Sequence, residues 1–302
     1  MRFIVTGGAG FIGSNIVKLL VQNKHEVIVI DNLHTGKKEN LESVYEKIQF
    51  YNIDIRHKEK LNKIVKNCDG IFHQAALTVV SESFKIPNEY YDVNVIGTKN
   101  IFEIAEKEKI KVVFASSSSI YGNVNKIPIL ENSEKNPINP YGKTKLDDEI
   151  LAEQFTNKNN KIVGLRYFNV FGFGQTGSYA GVITKFMNAL SNVRSPIIFG
   201  NGEQIRDFVY VLDIAKANLA VMESNLDSGF LNVGTGKVIS IKNLAELMTT
   251  IYDLKLIPKY EPSLPGDVKQ SQADTSKMND LIGWKYETEL EDGLKQIIKN
   301  EI

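Results

Sequence analysis

The chain has 302 residues, of which 42% are apolar, and its 36 lysines and arginines balance 36 aspartates and glutamates. This composition is ordinary for a globular protein, and the balanced charge gives no basic field for nucleic acid or an anionic membrane. No apolar run approaches transmembrane length, the four histidines lack metal-ligand spacing, and the single cysteine excludes an intramolecular disulfide. We therefore expect a cytoplasmic protein with no nucleic-acid, membrane or metal partner. We also expect no signal peptide, because residues 2–5 run directly into a glycine loop.

The first feature along the chain is a glycine loop between a predicted strand and a predicted helix. Residues 3–6 are apolar and strand-like, and the apolar spacing of residues 16–21 predicts a helix. Between them lie Gly7, Gly10 and Gly13, spaced G-x-x-G-x-x-G. Glycines in this context permit a tight turn, close approach to a pyrophosphate, and close packing of helix on strand. The helix N-terminus then presents N–H groups to the anion, so the loop predicts a dinucleotide site.

Acidic residues follow the next two predicted strands. Residues 27–30 lead into Asp31, which lies 18 positions after Gly13. A carboxylate there accepts hydrogen bonds from the adenosine ribose hydroxyls and repels a 2′-phosphate, which favours NAD over NADP. The third predicted strand, Ile48–Asn52, is followed by Asp54, at the edge of the sheet where ligands of such folds bind.

Strands and helices continue to alternate through residue 168. The fourth predicted strand, Gly70–His73, leads to Ala75, which we place beside the cofactor, and residues 88–108 predict a long helix. A fifth strand begins at residue 111 and ends in serines 116–119, and residues 162–166 predict a sixth. This alternation predicts an α/β fold with a doubly wound parallel sheet, a Rossmann domain over residues 1–168.

The helix that begins at Pro140 carries the candidate base. Tyr141 and Lys145 are four residues apart and share one face of this helix. For a phenolate and an ammonium about 4.5 Å apart, an effective dielectric of about 20 gives roughly 4 kcal/mol. At about 1.4 kcal/mol per pKa unit, this brings the tyrosine pKa from about 10 towards 7. A phenolate at neutral pH can take a proton from an alcohol.

After residue 168 the alternation becomes irregular. Glycines at positions 172, 174, 177 and 181 punctuate a loop, and short elements follow. We predict a helix over residues 183–190 and strands over 196–199 and 207–210, with further strands near Phe230 and Ile257 and helices near Leu247 and Leu294. We assign residues 169–302 to a smaller α+β lobe that binds the substrate, with some elements packing back on the Rossmann sheet.

The glycine loop, Asp31, the serine strand and the Tyr141–Lys145 pair together resemble the extended short-chain dehydrogenase/reductase family. Within that family the chain is most similar to the UDP-hexose 4-epimerases, from Gly7 to about Asp274. The resemblance implies a reversible oxidation at C4 of a UDP-sugar with retained NAD, through a 4-keto sugar that rotates before it is reduced on its other face. It also implies a homodimer, because residues 91–108 and 146–155 resemble the helices that form an intersubunit bundle in the family.

The resemblance assigns roles residue by residue. The predicted cofactor contacts are Gly7, Gly10, Phe11, Ile12, Gly13, Asp31, Asn32, Asp54, Ile55, Ala75, Asn94, Tyr141 and Lys145. The predicted catalytic residues are Ser117, Tyr141 and Lys145, with Ser117 on the sugar 4-hydroxyl. The predicted substrate contacts are Ser117, Asn169, Phe199, Arg206 and Ser271. Ser271 corresponds to a position beside the sugar 2-substituent, and its small size implies room for an N-acetyl group.

Two departures from the family pattern concern the diphosphate. Leu264, just before Pro265-Gly266-Asp267, and Gly174 stand where many members carry arginine, which leaves Arg206 as the matched cation. Among the alternatives, the dehydratases and decarboxylases of the family carry acidic residues where this chain has Ser118 and Ser119. A keto-sugar reductase usually exchanges NADP, whereas Asp31 favours NAD, so Asp31 argues against a reductase. A UDP-glucuronate 4-epimerase remains open as an alternative. A non-catalytic NAD sensor usually lacks the tyrosine or lysine that this chain retains.

Overall fold

The computed structural model describes residues 1–175, 181–264 and 266–299, so Gly177 and Pro265 of the sequence patterns lie outside the described residues. The strands are β1 (Arg2–Thr6), β2 (Glu26–Asp31), β3 (Ile48–Asn52), β4 (Gly70–His73), β5 (Lys111–Ser117), β6 (Ile162–Tyr167), β7 (Asn169–Phe171), β8 (Ile197–Phe199), β9 (Ile205–Arg206), β10 (Phe208–Tyr210), β11 (Ser228–Val233), β12 (Ile239–Ser240), β13 (Lys259–Glu261) and β14 (Gln270–Ser271). The α-helices are α1 (Phe11–Gln22), α2 (Lys58–Ile64), α3 (Val80–Ser83), α4 (Pro87–Tyr90), α5 (Gly97–Glu108), α6 (Pro140–Thr156), α7 (Val182–Ser191), α8 (Val211–Glu223), α9 (Ile241–Ile251), α10 (Ser276–Ile282) and α11 (Leu290–Lys299). None of these described helices is both long and apolar enough to cross a membrane.

A parallel sheet of seven strands forms the centre of the molecule, in the order β11-β6-β5-β4-β1-β2-β3. The chain builds outward from β1 to β3 in one direction and from β4 to β6 in the other, so the order reverses between β1 and β4. Open α/β sheets bind ligands in the crevice at such a point, outside the carboxyl ends of the strands. The predicted doubly wound α/β fold is confirmed.

Two apolar layers cover the sheet, and the period-two alternation of its strands feeds both of them. On β1, Phe3 and Val5 belong to one buried cluster, whereas Ile4 belongs to the other. Helices α1 and α8 complete the first layer, and α2, α5 and α6 complete the second. Each fully buried side chain of this size contributes about 1.5–3 kcal/mol of transfer free energy, so both faces of the sheet are strongly stabilised.

The sequence analysis placed the strand near Phe230 in the second lobe. In the structure this strand does not belong to that lobe. It is β11, which pairs in parallel with β6 at the edge of the central sheet, and α8 is the crossover helix that precedes it. Residues 211–233 therefore return to the first lobe after an excursion. The second lobe is built from residues on both sides of this return, so a single cut at residue 168 does not describe the architecture.

The second lobe has its own apolar core, to which α7, α9 and α11 contribute. Its strands form small sheets in which β9 lies between β12 and β14, and β8 pairs with β13. The Asp207 carboxylate, buried between β9 and β10, accepts hydrogen bonds from the backbone N–H groups of Thr235, Gly236 and Ala273. Burial raises the pKa of Asp207, and these hydrogen bonds oppose that rise. This carboxylate ties together the segments that carry Arg206 and Ser271.

The predicted helix over residues 88–108 is a continuous helical segment with an irregular centre. Between α4 and α5, residues Tyr91–Ile96 form a π-helix, with backbone bonds one residue wider than in an α-helix. Such widened turns are frequent at functional sites. Here the π-helix carries Asn94, whose side chain faces the region behind the crevice.

Candidate functional site

The crevice at the reversal of strand order opens into a cavity of about 320 Å³. Thirteen residues that the sequence analysis selected line this cavity: Gly7, Gly10, Phe11, Ile12, Gly13, Asp31, Asn32, Asp54, Ile55, Ala75, Ser117, Tyr141 and Lys145. The cavity lining does not include Asn94, Asn169, Phe199, Arg206 or Ser271. The structure thus brings the predicted cofactor and catalytic groups into one cleft and places the predicted substrate contacts of the second lobe outside this lining.

The glycine loop is packed too tightly for side chains at two of its positions. A Cβ on Gly13 would lie 2.1 Å from the Gly7 carbonyl oxygen, and a Cβ on Gly7 would lie 2.7 Å from the Ala75 nitrogen. Gly7 also has φ +66°, a conformation that glycine adopts without strain. Helix α1 begins after Gly10 with no side-chain cap and no acidic residue in its first turn. Its first N–H groups are therefore available to an anion in the cavity.

Asp31 ends β2 with its carboxylate fixed by the loop. One oxygen accepts a hydrogen bond from the Ala9 N–H at 2.9 Å, and the other accepts one from the Leu33 N–H at 2.8 Å. Burial raises the pKa of Asp31, and these two bonds act in the opposite direction. A carboxylate has about four lone-pair sites, so each oxygen retains capacity for a ribose hydroxyl.

An ionic cluster at the same end of the cavity includes a residue that the sequence analysis missed. The Arg56 guanidinium donates to both oxygens of Asp54, and Asn32 donates to one of them at 3.0 Å. The Arg56 hydrogen bonds hold the pKa of Asp54 down, at about 2. Asp54 is thus a fixed anion, and Arg56, two residues after it, lines the cavity with Ile55.

Local structure places Tyr141 beside the serines that follow β5. Pro140 is the first residue of α6, and the Asn139 side chain caps the helix by accepting the Gly142 N–H at 2.8 Å. A Cβ on Gly142 would lie 2.8 Å from the Ser119 carbonyl oxygen, so glycine is required where α6 approaches the serine turn. In that turn Ser117 Oγ accepts hydrogen bonds from the Ser119 N–H and hydroxyl, which leaves the Ser117 proton to donate.

Lys145 lies one turn further along α6 and is only 4% exposed. Its ammonium donates to Asp148 Oδ2 at 3.2 Å. Asp148 is completely buried, and burial raises its pKa to about 7, although Lys145 and the Thr98 hydroxyl favour the ionised form. The sequence analysis selected Lys145 but missed its buried partner; the i,i+3 spacing within the Tyr141 helix was the available signal.

A buried histidine lies behind the same wall of the cavity. His73 Nδ1 is 2.6 Å from the Thr6 hydroxyl, and Nε2 is 2.9 Å from the Thr98 hydroxyl. Burial, and then the nearby Lys145 charge, lower the pKa of His73 to about 3. The ring is therefore neutral at physiological pH and links β1, β4 and α5 by hydrogen bonds, in agreement with the ordinary core role expected for it.

Asn94 does not reach the cavity, although the sequence analysis expected it to contact the cofactor. It is fully buried, its amide group donates to the Leu77 carbonyl and to Thr144 Oγ1, and its oxygen accepts the Leu77 N–H. With these groups committed within the protein, Asn94 fixes Leu77 of the cavity wall against α6.

The predicted substrate contacts lie in the second lobe and beside it. Asn169 begins β7, and its N–H donates to the Asp207 carbonyl, while Phe199 ends β8 half-buried. Arg206 and Ser271 are paired in the parallel register of β9 and β14, and they are 6% and 5% exposed. The Arg206 guanidinium forms an ion pair with Asp267 and donates to the Ile205 carbonyl. Arg206 was predicted to contact the diphosphate, but its ion pair with Asp267 was not predicted from the sequence.

Comparison with known proteins identifies close relatives. The model of the NAD dependent epimerase/dehydratase family matches residues 3–234. A relative from Methanocaldococcus jannaschii, with a provisional UDP-glucose 4-epimerase name, is 41% identical over 304 residues, covering 98% of this chain and 96% of its own. The structure of UDP-N-acetylglucosamine 4-epimerase from Methanobrevibacter ruminantium, in complex with UDP-N-acetylmuramic acid, superposes with a TM-score of 0.94 at 38% identity and covers 99% and 97% of the two chains. UDP-glucose 4-epimerase from Thermotoga maritima, with UDP-glucose, gives a TM-score of 0.95 at 36% identity and covers 99% and 98%.

The residues of the cleft fit NAD. The Gly7–Gly13 cradle admits a close pyrophosphate, the uncapped start of α1 faces it, and Asp31 retains acceptor capacity for an unphosphorylated ribose. The buried Lys145 lines the cavity, and its ammonium has donors beyond the one that bonds Asp148.

We expect Gly13→Ala to lower NAD affinity by more than tenfold, because the added Cβ cannot fit 2.1 Å from the Gly7 oxygen without opening the cradle. Gly181→Ala is the control, since Gly181 lies outside the cavity lining and its Cβ would first meet the Gln175 side chain, at 3.3 Å. The measurement is calorimetric titration with NAD, together with NAD(H) released by denaturing each purified protein and circular dichroism to verify folding. A folded Gly13→Ala protein with wild-type NAD content contradicts the assignment of the cradle, and release of mainly NADP(H) contradicts the role of Asp31.

Proposed function

The chain belongs to the NAD-dependent epimerase/dehydratase family, and on that premise we propose that it is a UDP-hexose 4-epimerase with NAD as its cofactor. The proposed reaction interconverts UDP-glucose and UDP-galactose, and also their N-acetyl counterparts, through a transient 4-keto sugar. Epimerases that act on UDP-glucose and on UDP-N-acetylglucosamine are among its relatives.

The observation that carries the proposal is the approach of the Tyr141 helix to the serine turn in the dinucleotide cleft. Tyr141, Lys145 and Ser117 all line the cavity that also contains the glycine cradle. The turn after β5 contributes hydroxyl groups from Ser118 and Ser119, which have no pKa suited to acid–base catalysis of an elimination. These serines favour epimerisation over the dehydratase chemistry of the same family.

The protein's own residues would bind, orient and exchange a proton. NAD, when bound, supplies the hydride acceptor and donor at C4 of the sugar. Tyr141 accepts the proton of the 4-hydroxyl in one half of the reaction and returns it in the other, and the Lys145 charge favours its phenolate. Ser117 donates its remaining proton to the 4-oxygen, because its two recorded hydrogen bonds use it as an acceptor. Because both the proton and the hydride return to the sugar, the cycle needs no external acid or reductant.

The first test is to incubate the purified protein with UDP-glucose, UDP-galactose, their N-acetyl forms and UDP-glucuronate, and to identify the products by NMR. The 4-epimers of the neutral sugars are the expected products. Epimerisation of UDP-glucuronate alone would replace the proposed substrate, and loss of carbon dioxide or water from any sugar would replace the proposed reaction.

We expect Tyr141→Phe to lower turnover by at least about two orders of magnitude, because a positioned acid–base group contributes about 10²–10⁴-fold. Tyr45→Phe, at a tyrosine outside the cavity lining, is the control for loss of a phenol elsewhere. The measurement is the rate of UDP-galactose conversion, with NAD content determined in parallel. Near-normal epimerisation by the Tyr141→Phe protein would exclude Tyr141 as the base.

We propose that Ser271 sets the breadth of the substrate range. By the family resemblance, the small Ser271 side chain stands beside the 2-substituent of the sugar, and β14 pairs Ser271 with Arg206 of β9, the predicted diphosphate contact. We expect Ser271→Tyr to suppress turnover of UDP-GlcNAc by more than tenfold while UDP-galactose turnover falls much less, because the ring occupies the space of the acetamido group. Ser271→Ala, which removes only the hydroxyl, is the control, and NMR rates on both sugars are the measurement. Equal losses of turnover on both sugars, or no turnover of UDP-GlcNAc by the unmodified protein, would contradict the proposal that Ser271 sets the substrate range.

We also propose that the protein is a homodimer that buries the outer faces of the 91–108 segment and α6. Tyr91, Ile96 and Ile150 are large apolar side chains exposed on these helices, and exposed apolar patches mark interaction sites. We expect light scattering to give twice the chain mass at micromolar concentration, and Ile150→Glu to give the monomer. Ile257→Glu, at a residue that is 83% exposed in the second lobe, is the control. A monomeric unmodified protein would contradict the assembly.

A further inference from the structure

Asp148 is a buried carboxylate to which the proposed reaction gives no task. Its side chain has no solvent exposure, and its Oδ2 is 3.2 Å from the Lys145 ammonium. Its Oδ1 has no hydrogen-bond partner among the described residues. An ionised carboxylate is costly to bury unless it is paired, and among the described residues Lys145 is the cation paired with Asp148.

The neighbouring elements bring no other close counter-charge to this pair. His73, on β4, is held neutral, and Thr98, on α5, offers only a hydroxyl. On α6 itself, Asp147 pairs with Lys143 on the outer face, and Glu149 is engaged by Arg166 of β6. In α3, α4, the π-helix, the first turn of α5 and the serine turn, the titratable groups are either exposed or bonded elsewhere: Glu82, Glu89, Tyr90, Tyr91, Asp92, Lys99 and Tyr121. Further along α5, Glu103 and Glu106 accept hydrogen bonds from Lys58 and Asn160. Among the described residues, the charges of Lys145 and Asp148 therefore compensate each other.

We propose that Asp148 is a positioning residue that anchors the Lys145 ammonium in the cavity wall and sets how strongly that charge acts on Tyr141. This inference rests on the proposed function, in which Tyr141 is the base. An ionised Asp148 offsets the Lys145 charge and makes the Tyr141 phenolate less favourable. A protonated Asp148 leaves that charge uncompensated and makes the phenolate more favourable.

The pair has a defined dependence on pH. Burial raises the pKa of Asp148 to about 7, so its charge changes in the neutral range. As the pH falls through 7, Asp148 takes up a proton and the attraction of Lys145 for the Tyr141 phenolate increases.

The test is to measure the ionisation of Tyr141 directly in the holoenzyme. The ultraviolet absorbance of tyrosinate is titrated against pH, and the curve of the matching protein with Tyr141→Phe is subtracted to isolate Tyr141. We expect Asp148→Asn to lower the pH of this ionisation by up to about one unit, with the full shift only where Asp148 would otherwise be ionised, because it removes a negative charge held within a few ångströms of Lys145. Asp147→Asn, an adjacent carboxylate on the outer face, is the control and should leave the titration close to that of the unmodified protein.

A second variant and a kinetic measurement separate this role from a purely structural one. Asp148→Ser is smaller and also uncharged, so it should shift the titration in the same direction if the asparagine protein does not fold. The acid limb of the kcat profile for UDP-galactose should move to lower pH by a similar amount in the folded variant. An unchanged Tyr141 titration in a folded, uncharged variant overturns the inference. Absence of UDP-sugar turnover by the unmodified protein overturns the proposed function instead, and the absorbance titration still tests Asp148.

Discussion

Glu149 joins the helix that carries Tyr141 and Lys145 to the strands on which the rest of the site is built. Its carboxylate accepts two hydrogen bonds from Arg166 of β6, each 2.8 Å, and one from the Ser116 hydroxyl of β5 at 2.6 Å. Arg166 in turn donates to Tyr121, which follows the serine turn. Removing one partner of such a buried pair is strongly destabilising, although an apolar replacement of the whole pair is often neutral. The network thus contributes position more than net stability, because it fixes α6 relative to the end of β5 where Ser117 lies.

The order of the chain explains how two separate lobes come to share one cleft. Strands β1 to β6 complete most of the sheet, and the chain then leaves it for residues 169–210 before α8 and β11 return to the edge beside β6. The excursion brings the start of the second lobe to the crevice, since Val170, Gly174 and Gln175 line the cavity, and β10 pairs in parallel with β7. The later segment from β12 onward adds to the same lobe, and the Asp207 hydrogen bonds hold the two segments together.

Local patterns in the sequence were sufficient to predict six of the seven strands of the central sheet and the glycine loop, because short apolar runs and glycine spacing encode them. Strands β3 and β4 have the predicted bounds, and Pro140 begins α6 as its fixed φ requires. The assignment of the Phe230 strand was wrong because its partner, β6, lies more than 60 residues earlier and the intervening excursion interrupts the alternation. Arg56, Asp148 and Asp267 were missed for a related reason. A charged side chain in a loop or helix is usually solvated, so the short spacings of Arg56 from Asp54 and of Asp148 from Lys145 did not select them. Asp267 lies 61 residues from Arg206, and only the fold shows that the two are partners.

Charge compensation is a common feature of the cations in and near the cleft. Arg56 is paired with Asp54, Lys145 with Asp148, and Arg206 with Asp267. For Arg206 this pairing does not preclude a diphosphate, because a guanidinium has five N–H donors and the recorded bonds to Asp267 and the Ile205 carbonyl use two of them. A phosphate bound through the others would meet a guanidinium whose orientation Asp267 already fixes. Preorganisation of this kind reduces the ordering cost of binding. If Arg206 binds the diphosphate as proposed, we expect this effect to offset in part the lack of the arginines that the family resemblance implies at Gly174 and Leu264.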